Sequence, residues 1–158
     1  MMAHRRLDLS LNEDFRDVLL ELADGQVRFL VVGAFAVALH GAPRFTGDLD
    51  ILVSSSAENA AKVYDALRRF GAPLETTGVV PADFQTPGSV YQIGLPPRRI
   101  DILTQITAVS FEDAWTSRVV TELEGREIPF IGRAELIRNK EAAARPKDKV
   151  DAAALGRR

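Results

Sequence analysis

Residues 44–53 read RFTGDLDILV. From Asp48 onward the stretch alternates as a strand does, with Leu49, Ile51 and Val53 on one face and Asp48 and Asp50 on the other. Arg44 and Thr46 join the aspartate face if the extended conformation begins that early. Two carboxylates held side by side repel each other, and burying either without a partner is costly. Either both aspartates sit at the edge of a sheet and face water, or they share a divalent cation. Mg²⁺ takes oxygen ligands and is often held by one or two carboxylates together with substrate phosphates.

Working upstream, VRFLVV (27–32) is a nearly continuous apolar, β-branched run and reads as a buried strand. It runs into Gly33–Ala34, a strand-to-helix turn. Small residues there let the backbone approach a phosphate, with the free N–H groups of a helix start beside it; otherwise Gly33 serves tight packing. AFAVALHG (34–41) reads as a short apolar helix ending near Gly41. Further upstream, Ser10 and Glu13 form a capping box for a helix over 11–25 that ends at Gly25. Its apolar face is Leu11, Phe15, Val18, Leu19 and Leu22.

Downstream, SSSAENAAKVYDALRRFG (54–71) is an amphipathic helix capped by Ser56 and stopped by Gly71. Residues 71–89 are rich in Gly, Pro and Thr and read mostly as loop. VYQIGL (90–95) and RIDILTQI (99–106) read as a hairpin around Pro96–Pro97. The second arm carries Asp101 between Ile100 and Ile102. Three aspartates on neighbouring strands suit two metals about 3.5–4 Å apart, as in phosphoryl-transfer sites; alternatively Asp101 partners Arg98 or Arg99.

SFEDAW (110–115) starts a short helix, whose Phe111 and Trp115 are assigned to the core, stacking on a base being the alternative for Trp115. RVVTELEGREIPFI (118–131) has strand–turn–strand character with EGRE as the turn. RAELIRNKEAAA (133–144) is a helix, Pro146 breaks or restarts it, and KDKVDAAAL (147–155) is a last helical turn or two. This order argues for an α+β fold with a mixed β-sheet flanked by helices and a C-terminal helical segment. The 158 residues are read as a single domain, core about 10–132 and helical cap 133–158.

The absence of cysteine excludes disulfides, thiolate metal sites and cysteine nucleophiles. The N-terminus has no apolar run behind its basic residues, and no stretch approaches the roughly 18 apolar residues of a membrane span. A cytoplasmic protein with no membrane contact is expected. Residues 133–158 hold eight Lys/Arg against four Asp/Glu, a net +4, whereas the rest holds twelve against eighteen, a net −6. A basic end behind an acidic body suggests an anionic ligand near the C-terminus, or else a solvated helix face.

Gly33–Ala34, the Asp48/Asp50 pair and Asp101 together resemble the polymerase-β-like nucleotidyltransferase superfamily. Its signature is hG[GS], then [DE]-h-[DE] on the next strand, then an acidic residue on a later strand. GAFAVALHGAPRFTGDLDILV (33–53) and LIRNKEAAARPKDKVDAAAL (136–155) look like the small prokaryotic branch, AbiEii-like or MNT-type. The resemblance covers roughly residues 27–155. It implies an α-β-α-β-α-β core with a mixed sheet and a C-terminal helical cap. It also implies transfer of a nucleoside monophosphate from a nucleoside triphosphate to an acceptor hydroxyl.

Under this resemblance Asp48, Asp50 and Asp101 hold Mg²⁺ or Mn²⁺, and Asp101 also helps to deprotonate the acceptor. Gly33 and Ala34 meet phosphate through backbone amides. The second Gly or Ser of the pattern is Ala34 here, which keeps the N–H and lacks a hydroxyl. Arg44 and Thr46 order the turn or reach the triphosphate, unless Arg44 simply pairs with an aspartate. Lys140, Arg145 and Lys147 are candidates for its phosphates, and Asp148 either orients them or caps the last helix. His40 is given a structural role. The C-terminal helices are expected to fold back over the acidic sheet, burying Leu136, Ile137, Val150 and Leu155. The implied partners are a nucleoside triphosphate and a tRNA or a partner toxin or antitoxin protein. Besides a toxin-like enzyme, the readings are an antitoxin or regulatory partner that modifies or binds a toxin, and a non-catalytic nucleotide-binding module. The intact aspartates argue against the module.

Overall fold

The computed structural model describes residues 5–6, 12–42 and 47–156. Among them, strands β1 (Arg5–Arg6), β2 (Phe29–Val32), β3 (Leu49–Val53), β4 (Val90–Ile93), β5 (Ile100–Leu103), β6 (Val119–Leu123) and β7 (Arg126–Phe130) form one sheet in the order β1-β6-β7-β2-β3-β5-β4. Its pairings are mixed: β3 is antiparallel to β2 and parallel to β5, and β2 is parallel to β7. The strand bearing the aspartates is therefore central, which rules out the arrangement with both carboxylates at a sheet edge. The fold is α+β, as the element order requires.

Helices α1 (Glu13–Asp24), α2 (Gly33–Leu39), α3 (Ala57–Phe70), α4 (Phe111–Thr116), α5 (Arg133–Ala143) and α6 (Pro146–Gly156) complete it. Helix α3 has the expected ends: Ser56 accepts from the Asn59 N–H, and Gly71 closes it in the left-handed conformation. Helix α1 differs at its start. Asn12, not Ser10, is the N-cap, its Oδ1 accepting from the Phe15 N–H at 2.9 Å. Asn caps as well as Ser and directly precedes the acidic first turn. Ser10 and Leu11 lie outside the described residues, as do Arg44 and Thr46.

The segment 71–89 is more than loop. A 3₁₀ turn, Pro81–Gln85, seats Phe84 in the core, edge-on to Tyr91. Phe111 and Trp115 are half-buried at the margin of the core rather than inside it. Their rings stack at 5.6 Å, and the Arg28 guanidinium lies over both.

Helix α6 is three turns long, not one or two, because Pro146 occupies its first position, where a missing N–H costs nothing. Ala144, in the left-handed conformation, turns the chain between α5 and α6. Leu136 and Leu155 are buried and Ile137 partly so, but Val150 is 66% exposed. It lies two residues after Asp148 and one before Asp151, on the side of α6 turned away from their shared face. Arg133 fixes the helical pair to the end of α2: its two terminal nitrogens donate to the carbonyls of Leu155 and His40, each at 2.8 Å. His40, the C-cap of α2, places Nε2 2.8 Å from the Ile131 carbonyl just after β7. Its role here is structural, and it ties α2 to the strand that leads into α5.

Candidate active site

The sheet register brings the carboxylates together. β3 and β5 run parallel with Asp50 opposite Asp101, so both side chains leave the same face of adjacent strands. Asp48, just before β3, is held from behind. The Arg99 N–H donates to its Oδ1 at 3.1 Å, while the Leu49 N–H donates to the Arg99 carbonyl at 2.9 Å. The three aspartates line one cleft of about 280 Å³ together with Gly33, Ala34, Gly47, Arg99, Lys140, Arg145 and Lys147. Of the residues proposed from sequence, all that fall within the described residues meet there.

Gly33 brings the backbone close against Asp50. It has φ +66°, and a Cβ built on it would overlap Oδ2 of Asp50 and sit 3.0 Å from its Cβ and Cγ. A glycine is required there twice over, by the left-handed conformation and by the carboxylate pressed against it. Gly47 is a second close approach, with its added Cβ 2.6 Å from the Pro97 carbonyl oxygen.

Arg99 neutralises part of this acidic end. Its Nε donates to Oδ1 of Asp101 at 2.7 Å and its Nη2 to Oδ2 at 3.2 Å, and the same Nη2 lies 3.5 Å from Oδ2 of Asp48. Of the two arginines offered as partners for Asp101, Arg99 is the one that takes it. Asp50, between them, is pushed up to about 6 by burial first and then by the charges of Asp101 and Asp48, against a smaller opposing pull from Lys140. Among the described residues no three carboxylate or imidazole side chains form a ready metal cage, and Asp48 and Asp101 both lie against Arg99.

The opposite wall is basic, and its cations are held by carboxylates of their own. Lys140 is only 6% exposed, its ammonium 3.2 Å from Oδ1 of Asp148 and 3.4 Å from Oδ2 of Asp151. Arg145 clasps Asp148 through Nε at 2.6 Å and Nη2 at 3.3 Å. Burial alone would raise the Asp148 carboxyl, but Arg145 and Lys140 outweigh it and hold it below its usual range. Asp148 thus orients cations, the first of its two readings. Lys147 is exposed on the cleft rim.

Sequence reasoning offered Arg99 only as an alternative partner for Asp101, and it passed over Gly47, Asp151 and Arg133. The alternation that pairs Asp48 with Asp50 also places Arg99 two residues from Asp101, on its face. Asp151 follows Asp148 at helical spacing. Arg133 carries no such local signal, because its partners lie in α2 and at the end of α6.

No protein-family model matches the sequence, and no curated protein matches it. Solved structures do. The crystal structure of "a putative nucleotidyltransferase" from Thermotoga maritima superposes with a TM-score of 0.55 at 16% identity, covering 90% of this chain and 88% of that one. The two chains share one fold. It is the α+β architecture with a mixed sheet expected from the element order, and at this identity the likeness concerns architecture, not activity, branch or substrate. Among the described residues no helix is long and apolar enough to cross a membrane.

Proposed function

We propose that this protein is a divalent-metal-dependent nucleotidyltransferase, transferring a nucleoside monophosphate from a nucleoside triphosphate to an acceptor hydroxyl. One observation carries the reading: Asp50 and Asp101 face each other across β3 and β5, beside Asp48, in a cleft whose opposite wall is Lys140, Arg145 and Lys147. An acidic wall and a basic wall suit a metal–triphosphate, which presents a cation to one and phosphate oxygens to the other.

The residues fit the metal. The cleft's acidic donors are carboxylate oxygens with no His or Cys among them, a set that selects Mg²⁺ or Mn²⁺ over softer ions. Asp50 is raised by burial first and then by Asp101 and Asp48, so a cation bound beside it would favour its charged form. When bound to Asp48, Asp50 and Asp101, the metal would supply charge neutralisation for the triphosphate and its leaving pyrophosphate.

The remaining chemistry falls to the chain. The acceptor oxygen attacks the α-phosphorus, the bond from that phosphorus to the β-bridging oxygen breaks, and the acceptor's proton passes to Asp101. Arg145 and Lys147 bind outer phosphates. The N–H groups of Gly33 and Ala34 donate to phosphate, and Arg44 and Thr46 belong to the same triphosphate-binding set. The family resemblance makes tRNA the first acceptor to test, with the protein as a toxin–antitoxin component, and a partner protein the second.

The test is incubation with each labelled nucleoside triphosphate and Mg²⁺, with total RNA or a partner protein as acceptor. Label is expected in one acceptor and to be lost with Asp50→Asn. Equal Mg²⁺–nucleotide affinity in wild type and Asp50→Asn by calorimetry, with no labelled acceptor, would refute the reading.

A further inference from the structure

We infer that Arg99 is a resident counter-ion of the acidic cluster, so that a divalent cation gains Asp48 and Asp101 only as the guanidinium gives them up. The inference rests on the proposed metal site and concerns this chain's own side chain. Two observations and one general property of arginine carry it. Arg99 makes a two-pronged contact with Asp101 and a longer one with Asp48, the outer two of the three carboxylates. A guanidinium matched so closely to a carboxylate is the strong form of such a pair and competes directly for the oxygens a metal needs. Finally, these carboxylates do not form a ready cage while Arg99 lies on them.

The backbone makes the side chain separable from the site it covers. Asp48 is fixed by the Arg99 N–H, and that residue's carbonyl is fixed by Leu49, whichever way the guanidinium points. Moving the side chain therefore uncovers the carboxylates without unlatching β3 from β5. Arg99 is also partly exposed and on the cleft wall, so a released guanidinium has the triphosphate side of the cleft within reach. In this role Arg99 is a positioning residue: it prevents metal-free repulsion among the aspartates and sets the threshold for metal entry.

The experiment is a titration with Mn²⁺ alone, read by its paramagnetic resonance signal, on wild type, Arg99→Ala and Arg99→Lys. Thermal melts with and without Mg²⁺ accompany it. Arg99→Ala should bind Mn²⁺ tighter by on the order of tenfold, the scale of one charge-assisted pair no longer displaced. It should melt lower than wild type without metal and recover more of its stability with Mg²⁺. Arg99→Lys, which keeps the charge and loses the two-pronged fit, should fall between the two. Equal Mn²⁺ affinity in wild type and both variants overturns the inference while leaving the metal site standing. Weaker binding in Arg99→Ala overturns it too, making Arg99 a support of the metal-bound state. Absence of Mn²⁺ binding in all three overturns the metal reading and this inference together. Should Arg99→Ala not fold, the Arg99→Lys affinity decides by the same criteria.

Discussion

The two walls of the cleft are built from the same residue types in different proportion. On the α5–α6 side, Lys140 and Arg145 face Asp148 and Asp151, two cations against two anions, and the central carboxylate is held below its usual range. On the β3–β5 side, one arginine faces three aspartates, and Asp50 is held at about 6. A balanced cluster can be buried permanently and serve the fold. An unbalanced one keeps an electrostatic cost that a cationic ligand relieves. The difference separates a wall whose buried Lys140 is already neutralised by the fold from one that waits for a cation, and it also revises the expectation for Lys140. Its ammonium is locked between two carboxylates, so its loss acts on stability before it acts on phosphate binding.

The comparison is tested hardest by removing one member of the balanced wall. Asp148→Ala leaves Lys140 buried with half its partners and should destabilise the protein by about 3–5 kcal/mol in urea denaturation. A loss near zero would mean that this network is as dispensable as a surface pair.

On the other wall the sign reverses. A group raised from 3.8 to about 6 gives its full stabilisation below its unfolded value and loses it as pH rises through its folded value. Asp50→Asn should therefore stabilise the metal-free protein by about 2–3 kcal/mol at pH 7, with the gain vanishing near pH 4. Asp148, held low, contributes stability above the ordinary carboxylate range that is lost as the pH falls through its depressed value. Melting curves of the single variants across pH should thus slope in opposite directions relative to wild type.

Gly33→Ala comes next. The left-handed backbone makes it cost about 1–2 kcal/mol. The overlap with Asp50 should also abolish Mg²⁺–nucleotide binding measured by calorimetry, although no charge has changed. The smallest effect on stability is expected from Lys147→Ala, on the exposed rim. It should shift unfolding by less than about 0.5 kcal/mol. Triphosphate affinity should fall by more than monophosphate affinity, because the lost contact is to the outer phosphates.

Much of this was legible in the chain because it is local. Alternation puts Asp48 and Asp50 on one face of a strand, Ser56 and Gly71 bracket a helix, and the apolar run before Gly33 is a strand wherever it packs. These features depend on neighbours within a few residues, and backbone geometry alone reads them out. The tertiary structure decided what depends on which elements meet. The register that sets Asp50 against Asp101 joins residues far apart in the chain. The turn at Ala144 brings Asp148 and Asp151 back onto Lys140 and leaves Val150 in solvent. Charge type is written in the sequence, but charge balance is not, because a carboxylate's neighbours are chosen by packing and its energy depends on all of them at once.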